Sequence, residues 1–197
     1  MVEKKSFEER YRENNTPWEI NRVDHNLSAV VSALPIMPGK ALDIGCGTGD
    51  NSIWLAGHHF QVTGCDISPD AIARAKAKAA MAAADCRFLH IDFLKEDLPG
   101  APFSFVFDRG CFHTTPEGDR RRFVARVAAL LEGGGTWLSM IGNADEIREE
   151  EGPPQLSALQ IVTLVEPFFE IISLASCHFD SDMAKPPRGW LCRMKKR

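Results

Sequence analysis

Short apolar runs alternate with amphipathic stretches along most of the chain. Five runs have strand length: Ala41–Ile44, Phe60–Asp66, Cys86–Asp92, Phe103–Asp108 and Thr136–Ile141. Helical spacing fills most of the gaps. Residues 24–34 carry Leu27, Val30, Val31 and Leu34 on one face, with Asp24 as cap. A second helix follows the first strand with Ile53, Trp54, Leu55 and Ala56. A third runs from Ala71 to Ala84, with Ser68 at the cap and Pro69 in the first turn. A fourth covers 117–131, with Phe123, Val127, Leu130 and Leu131 inward, and Gly133-Gly134-Gly135 is expected to end it. Beyond residue 142 the rhythm changes. A polar loop (142–155) leads into a helix over Ser157–Val165 capped by Ser157. Two apolar runs follow, Phe168–Phe179 and Gly189–Met194, with no helix between them. They are expected to pair antiparallel at the end of an otherwise parallel α/β sheet.

The chain is organised around Lys40–Asp50, KALDIGCGTGD. A buried strand carrying Asp43 breaks into Gly45, Gly47 and Gly49, and a helix starts at once. Glycines let the backbone turn sharply and lie against a ligand, and the helix start offers free N–H groups. The dinucleotide fingerprint wants its third glycine one residue later, where this chain has Asp50. A glycine turn without ligand is the bland alternative.

The acids decide between them. Asp43, Asp66, Asp92 and Asp108 each lie at or near the carboxyl end of one of four successive strands. Ligands of open α/β sheets bind along that edge. An acid ending the second strand is where such folds hold ribose hydroxyls, through charged bonds worth roughly 1.5–3 kcal/mol. Four acids there suit a cationic, hydroxyl-rich ligand better than a bare phosphate.

At 197 residues, with 44% hydrophobic and 25% charged residues, one globular domain is expected. The net charge of −4 gives no basic surplus for nucleic acid. The polar opening MVEKKSFEERYRENN does not read as a signal peptide, and no apolar run reaches membrane-span length. A cytoplasmic protein with no membrane or nucleic-acid partner is expected. The six cysteines form no C-x-x-C pair and read as reduced thiols, with no metal site. Cys111 has no context marking it as a nucleophile.

Three features have two readings each. Trp18, in the TPWE segment, either plugs the amino-terminal stretch onto the core or walls a cofactor pocket, and its chemistry alone favours the plug. His113, five residues after Asp108, is either a structural loop histidine or a substrate-side base. The acidic 142–155 loop is either solvated or a lid.

The glycine motif, the acids after the second and third strands and the paired last strands resemble the class I S-adenosylmethionine-dependent methyltransferases over essentially the whole chain. Within that fold, TPWE at 16–19, FDRGCFHTTP at 107–116, GPP at 152–154 and RGWLCRMKK at 188–196 are similar to the thiopurine methyltransferase-like group, which includes tellurite-resistance enzymes. The resemblance implies an α/β, Rossmann-like doubly wound sheet of about seven strands in a single domain over 1–197. Residues 1–34 would cover the cofactor, 40–141 would hold it, and 142–197 would supply the loop, helix and final strand pair. It implies S-adenosylmethionine as cofactor and S-adenosylhomocysteine as product. Asp43, Gly45, Gly47 and Gly49 would hold the methionine portion, and Asp66 with Ile67 the ribose side. Asp92 and Phe93 would flank the adenine. Asp108 and Arg109 would lie near the sulfonium and substrate, Trp18 would cover the cofactor, and Arg188 would be a further substrate-site candidate. After Trp18 this chain departs from the group. Glu19-Ile20-Asn21-Arg22-Val23 stands where a glycine and a proline are common.

The implied activity is methyl transfer to a small soft nucleophile: a thiol, a selenium or tellurium oxyanion, or a halide. The alternatives are an O- or N-methyltransferase of a small metabolite, or a binding protein without turnover.

Overall fold

The computed structural model describes residues 5–33, 36–148 and 152–197. Leu34 and Pro35, expected at the end of the first long helix, and 149–151 of the acidic loop lie outside them. Two short elements precede the sheet, α1 (Phe7–Arg12) and α2 (His25–Ala33). The alternating region runs β1 (Lys40–Ile44), α3 (Asp50–Gly57), β2 (Gln61–Asp66), α4 (Pro69–Met81), β3 (Cys86–His90), β4 (Phe103–Arg109), α5 (Cys111–Thr114), α6 (Arg120–Leu130) and β5 (Leu131–Gly142). The chain closes with α7 (Ala158–Val165), β6 (Phe169–His178) and β7 (Arg188–Lys196).

The strands form one sheet in the order β3-β2-β1-β4-β5-β7-β6. β1 to β5 pair in parallel, while β7 runs antiparallel to both β5 and β6. The expected class I methyltransferase sheet, with its antiparallel final pair, is what forms. β1 lies at the centre, where the connections reverse direction between β2 and β4. That switch point places the glycine turn at the ligand-binding crevice.

Local chemistry sets most boundaries. Asp24 Oδ1 accepts from Asn26 N at 2.9 Å and so caps α2. Ser68 Oγ accepts from Ala71 N at the start of α4. Ser157 and Gln160 form a reciprocal capping box on α7. One expectation fails. Gly133-Gly134-Gly135 do not terminate a helix but lie inside β5, whose register against β4 is irregular between Phe103 and Phe105. Their lack of side chains lets the strand begin at Leu131 and cross this irregularity.

Alternation along β4 divides the core. Phe105 and Phe107 join Leu27 of α2, Leu55 of α3, Leu138 and Met140 on one face. Val106 joins Phe123 and Val127 of α6, Ile161 and Val165 of α7, Phe112 and Trp137 on the other. Trp137 is fully buried there, and its Nε1 donates to Asp108 Oδ2 at 2.9 Å. The other Asp108 oxygen accepts from Phe112 N, also at 2.9 Å.

Trp137→Phe would leave Asp108 Oδ2 without its donor inside the core. It is expected to destabilise the fold by about 1–3 kcal/mol, seen as a lower midpoint in urea unfolding.

Candidate active site

The glycine turn starts where β1 ends. Gly45 and Cys46 both donate their N–H to Cys65 O, at 2.8 and 3.0 Å, which holds the turn against β2. Gly47 and Gly49 take positive φ of 54° and 87°. A Cβ on Gly47 would stand 2.8 Å from Tyr11 Oη, and one on Gly49 would stand 2.8 Å from the Phe88 ring. Both positions therefore demand glycine for conformation and for space.

Asp66 reaches back to this turn. Its Oδ2 accepts from Gly47 N at 3.0 Å and its Oδ1 from Ser68 N at 2.8 Å. Burial raises its pKa above the ordinary carboxylate value despite these bonds. Ile67, beside it, exposes 51% of its surface, an uncovered apolar step at the end of β2. Asp43 is enclosed, with Oδ2 accepting from Ser52 Oγ at 2.7 Å. Burial, against this one hydrogen bond and with Asp66 and Asp108 adding repulsion, pushes its pKa up to about 7.

Two expectations about the acid edge are corrected. Asp108 does not open onto the crevice. It is fully buried, both oxygens are bonded to Trp137 and Phe112, and burial raises its pKa to about 6. Phe93 does not offer a face to an adenine ring. It is packed in the core against Phe123 at 4.8 Å, with the Arg126 guanidinium over it. Asp92 lies past the end of β3, where it accepts from Leu94 N and pairs with Lys95 at 2.9 Å. The Lys95 bond keeps its pKa below the usual carboxylate value.

Arg109 is spoken for. Its Nε pairs with Asp24 Oδ2 at 2.7 Å, its Nη1 donates to Trp18 O at 3.0 Å, and its Nη2 donates to Asp180 O. Asp24 is wholly buried and also accepts from Asn26 and Asp180 N. In this structure Arg109 forms a clamp: Nε, Nη1 and Nη2 each donate to a protein acceptor, and the Phe179 ring lies 5.5 Å from the guanidinium carbon. Trp18 packs edge-on to Phe7 and Tyr11 and donates its Nε1 to Tyr11 Oη at 3.0 Å. These partners lie within the arm itself, and the arm atoms nearest the Gly47 Cβ position belong to Tyr11 and Glu19.

His113 sits on α5 between the ends of β4 and β5. Its Nε2 lies 3.3 Å from the Cβ position of Gly142, and the Phe179 ring is 6.1 Å away. It is buried, and Nδ1 has no hydrogen-bond partner among the described residues. Burial first, then the charges of Arg148 and Arg120, depress its pKa to about 3. Arg120 is itself buried and donates to the carbonyls of Thr115 and His113, with no carboxylate partner among the described residues. Asn143, the next residue after β5, is fully buried with Nδ2 unpaired. Arg188 lines a recess of about 430 Å³ with Glu146, Lys185 and His178, and donates to Asp145 O. A wider recess of about 640 Å³ lies at the opposite, amino end of the sheet, lined by Lys40, Phe60 and Arg87, away from all of these groups. Cys111 is half-buried, and desolvation holds its thiol well above its ordinary pKa, so it is not an activated nucleophile.

Sequence reasoning missed Tyr11, Glu19, Arg120 and Asn143. Glu19 stands next to the Pro-Trp pair, which was a usable signal. Arg120, in the run Asp119–Arg122, reads as solvated surface.

The donors and acceptors fit S-adenosylmethionine. Asp66 and one oxygen of Glu19 face the turn, with Asp43 enclosed at the end of β1 before it, and none of the three has a cation partner among the described residues, as an ammonium and ribose hydroxyls require. Ile67 offers the apolar step for a flat base. When the group is bound, Asp43 and Asp66 would hold its polar ends and Gly47 and Gly49 would admit its backbone approach.

Because the folded Asp43 pKa lies above its unfolded value of 3.8, its contribution favours the folded chain at low pH and is lost as pH rises through about 7. In the cofactor-free protein, melting temperature across pH 5 to 8 is expected to fall less in Asp43→Asn than in the parent chain.

A family model described as a methyltransferase domain matches residues 41–135. A probable thiol methyltransferase 2 of Arabidopsis thaliana is 28% identical over 188 residues, covering 92% of this chain and 79% of that protein. Thiocyanate methyltransferase 1 of the same plant is 26% identical over 144 residues, covering 71% of this chain and 62% of that protein. A solved structure from work on the conversion of a disulfide bond into a thioacetal group during echinomycin biosynthesis superposes with a TM-score of 0.82. It is 27% identical and covers 96% of this chain and 91% of that one. With the glycine turn and the seven-stranded sheet in place, the chain has the fold of the class I S-adenosylmethionine-dependent methyltransferases and is similar in sequence to these thiol and thiocyanate methyltransferases.

Proposed function

We propose that the chain methylates a small soft nucleophile that arrives as an anion, with a thiolate as first choice. The observation that carries this is His113. It is the only histidine on the acceptor side of β4 that the described residues bury, and a pKa of about 3 makes it a very weak base. An ordinary thiol has a pKa of about 8.5, so His113 cannot draw off its proton at neutral pH. The unpartnered Nδ1 can orient an acceptor, and the uncompensated charge of Arg120 favours a negative one. The names of the two plant relatives, a thiol and a thiocyanate methyltransferase, agree with a sulfur acceptor.

When bound, S-adenosylmethionine supplies a methyl group already activated by its sulfonium charge. The protein then has to align the acceptor and keep water out, and alignment alone can be worth effective molarities of about 10⁵–10⁸ M. In this reading the arm before β1 covers the cofactor and β1 to β5 hold it. His113, Arg120 and Asn143, with the 143–148 and 179–188 segments, enclose the acceptor. No metal, membrane or nucleic acid is called for.

Turnover on a panel of thiols, hydrosulfide, iodide, selenite and tellurite, read as S-adenosylhomocysteine formation, tests the proposal. Rate at subsaturating thiol should rise with pH in step with the ionisation of each thiol, with no step near 6.5 from histidine. Profiles that share one enzyme-centred pKa across thiols of different acidity would overturn it. His113→Ala should cut turnover while leaving cofactor affinity within about two-fold. Asp66→Ala should weaken S-adenosylhomocysteine binding about ten-fold or more by calorimetry, the scale of one charged hydrogen bond. Unchanged affinity would remove Asp66 from the cofactor site.

A further inference from the structure

We infer that Glu19 is a cofactor-binding residue, presented by the amino-terminal arm, whose free carboxylate oxygen accepts from a donor group of S-adenosylmethionine: the α-ammonium or a ribose hydroxyl. Glu19 Oε2 takes the Thr16 hydroxyl at 3.3 Å. Oε1 is enclosed and has no partner among the described residues. Leaving one oxygen of a carboxylate dry and unpaired is costly, and no lysine, arginine or histidine of the described residues forms an ion pair with Glu19.

The place to which this oxygen points is the glycine turn. Oε1 stands 3.8 Å from the Gly47 Cβ position, with Tyr11 Oη at 2.8 Å from the same point. Gly47 N is the group that Asp66 holds, so Glu19 and Asp66 approach one turn from opposite elements. The charge of Glu19 accordingly bears on both Asp66 and Tyr11. Tyr11 Oη already accepts the Trp18 indole N–H, which leaves its own proton to donate elsewhere.

The position is fixed by three cations of the main fold. Arg74 donates to Tyr11 O at 2.7 Å, Lys78 to Asn21 Oδ1 at 3.0 Å and Arg109 to Trp18 O at 3.0 Å. The first two come from α4 and the third from β4. They hold the backbone before Glu19 at Tyr11 and Trp18 and the side chain of Asn21 after it, so its carboxylate is aimed by the fold rather than by a free arm. A cationic or hydroxylic donor of the cofactor supplies the partner that the protein withholds.

Calorimetry with two ligands separates the two donors. S-adenosylhomocysteine carries ammonium and ribose, whereas 5′-methylthioadenosine keeps the ribose and adenine and lacks the amino acid. Glu19→Gln preserves shape and removes the charge, and is expected to weaken S-adenosylhomocysteine binding about ten-fold or more at an unchanged melting temperature. Unaltered 5′-methylthioadenosine affinity would assign the ammonium, and an equal loss on both ligands would assign a ribose hydroxyl. Should Glu19→Gln lower the melting temperature, Glu19→Asp is measured, which keeps the charge but withdraws it by one methylene and should show the same ligand pattern. S-adenosylhomocysteine affinity within about two-fold of the parent in the folded variants would overturn the inference. Failure of the parent chain itself to bind S-adenosylhomocysteine would instead overturn the cofactor assignment on which it rests.

Discussion

One guanidinium holds the top of the molecule together. Arg109, the last residue of β4, reaches Asp24 at the start of α2, the Trp18 carbonyl in the arm and the Asp180 carbonyl after β6. These three segments come from opposite ends of the chain, and Arg22 with Asp180 and Asn26 with the His178 carbonyl join them further. Asp24 is fully buried, and four protein donors satisfy its two oxygens. A buried ion pair of this kind adds little net stability over an apolar packing, but losing one partner leaves a charge stranded at a cost of about 3–5 kcal/mol. Its use here is geometric. It brings Tyr11 and Glu19 over the glycine turn and Phe179 beside His113.

With the arm in place, the carboxyl edge of the sheet divides into two electrostatic halves. On the side of β1 and β2, Asp43, Asp66 and Glu19 carry no cation partner among the described residues, and burial resists the ionisation of Asp43 and Asp66. On the side of β5, Arg120 carries no carboxylate partner among the described residues, and burial, helped by the charges of Arg148 and Arg120, keeps His113 neutral. A cationic methyl donor suits the first half and an anionic acceptor the second. Each half is under strain that a ligand of the opposite sign relieves, which is the physical content of complementarity in a poorly solvated site.

The acids illustrate how far linear reasoning reaches. All four stand at strand ends, and Asp66 does face the turn. Asp108 occupies an equivalent place on β4 but turns inward, because Trp137 from the neighbouring strand and the first amides of α5 supply donors in the core. Phe93 was expected beside an adenine from the family resemblance. It is buried because Phe123 of α6, thirty positions along, packs against it. In both cases the local pattern was right and the direction of the side chain was set by a distant partner.

Periodicity, caps and glycine punctuation by themselves determined the order and type of nearly all elements, the parallel core with its antiparallel last pair, and the glycine turn with the acid that ends β2. These depend on contacts within a few residues: Ser68 on Ala71 N, Ser157 with Gln160, Asp24 on Asn26 N. Tertiary structure alone decided that Arg109 clamps Asp24, Trp18 and Asp180 together, that Asp108 and Phe93 belong to the core, and that Glu19 and His113 end with enclosed atoms that have no partner among the described residues. Burial and the charges around a group shift its chemistry by several pKa units, as at His113, and both are sums over neighbours that only the folded chain assembles.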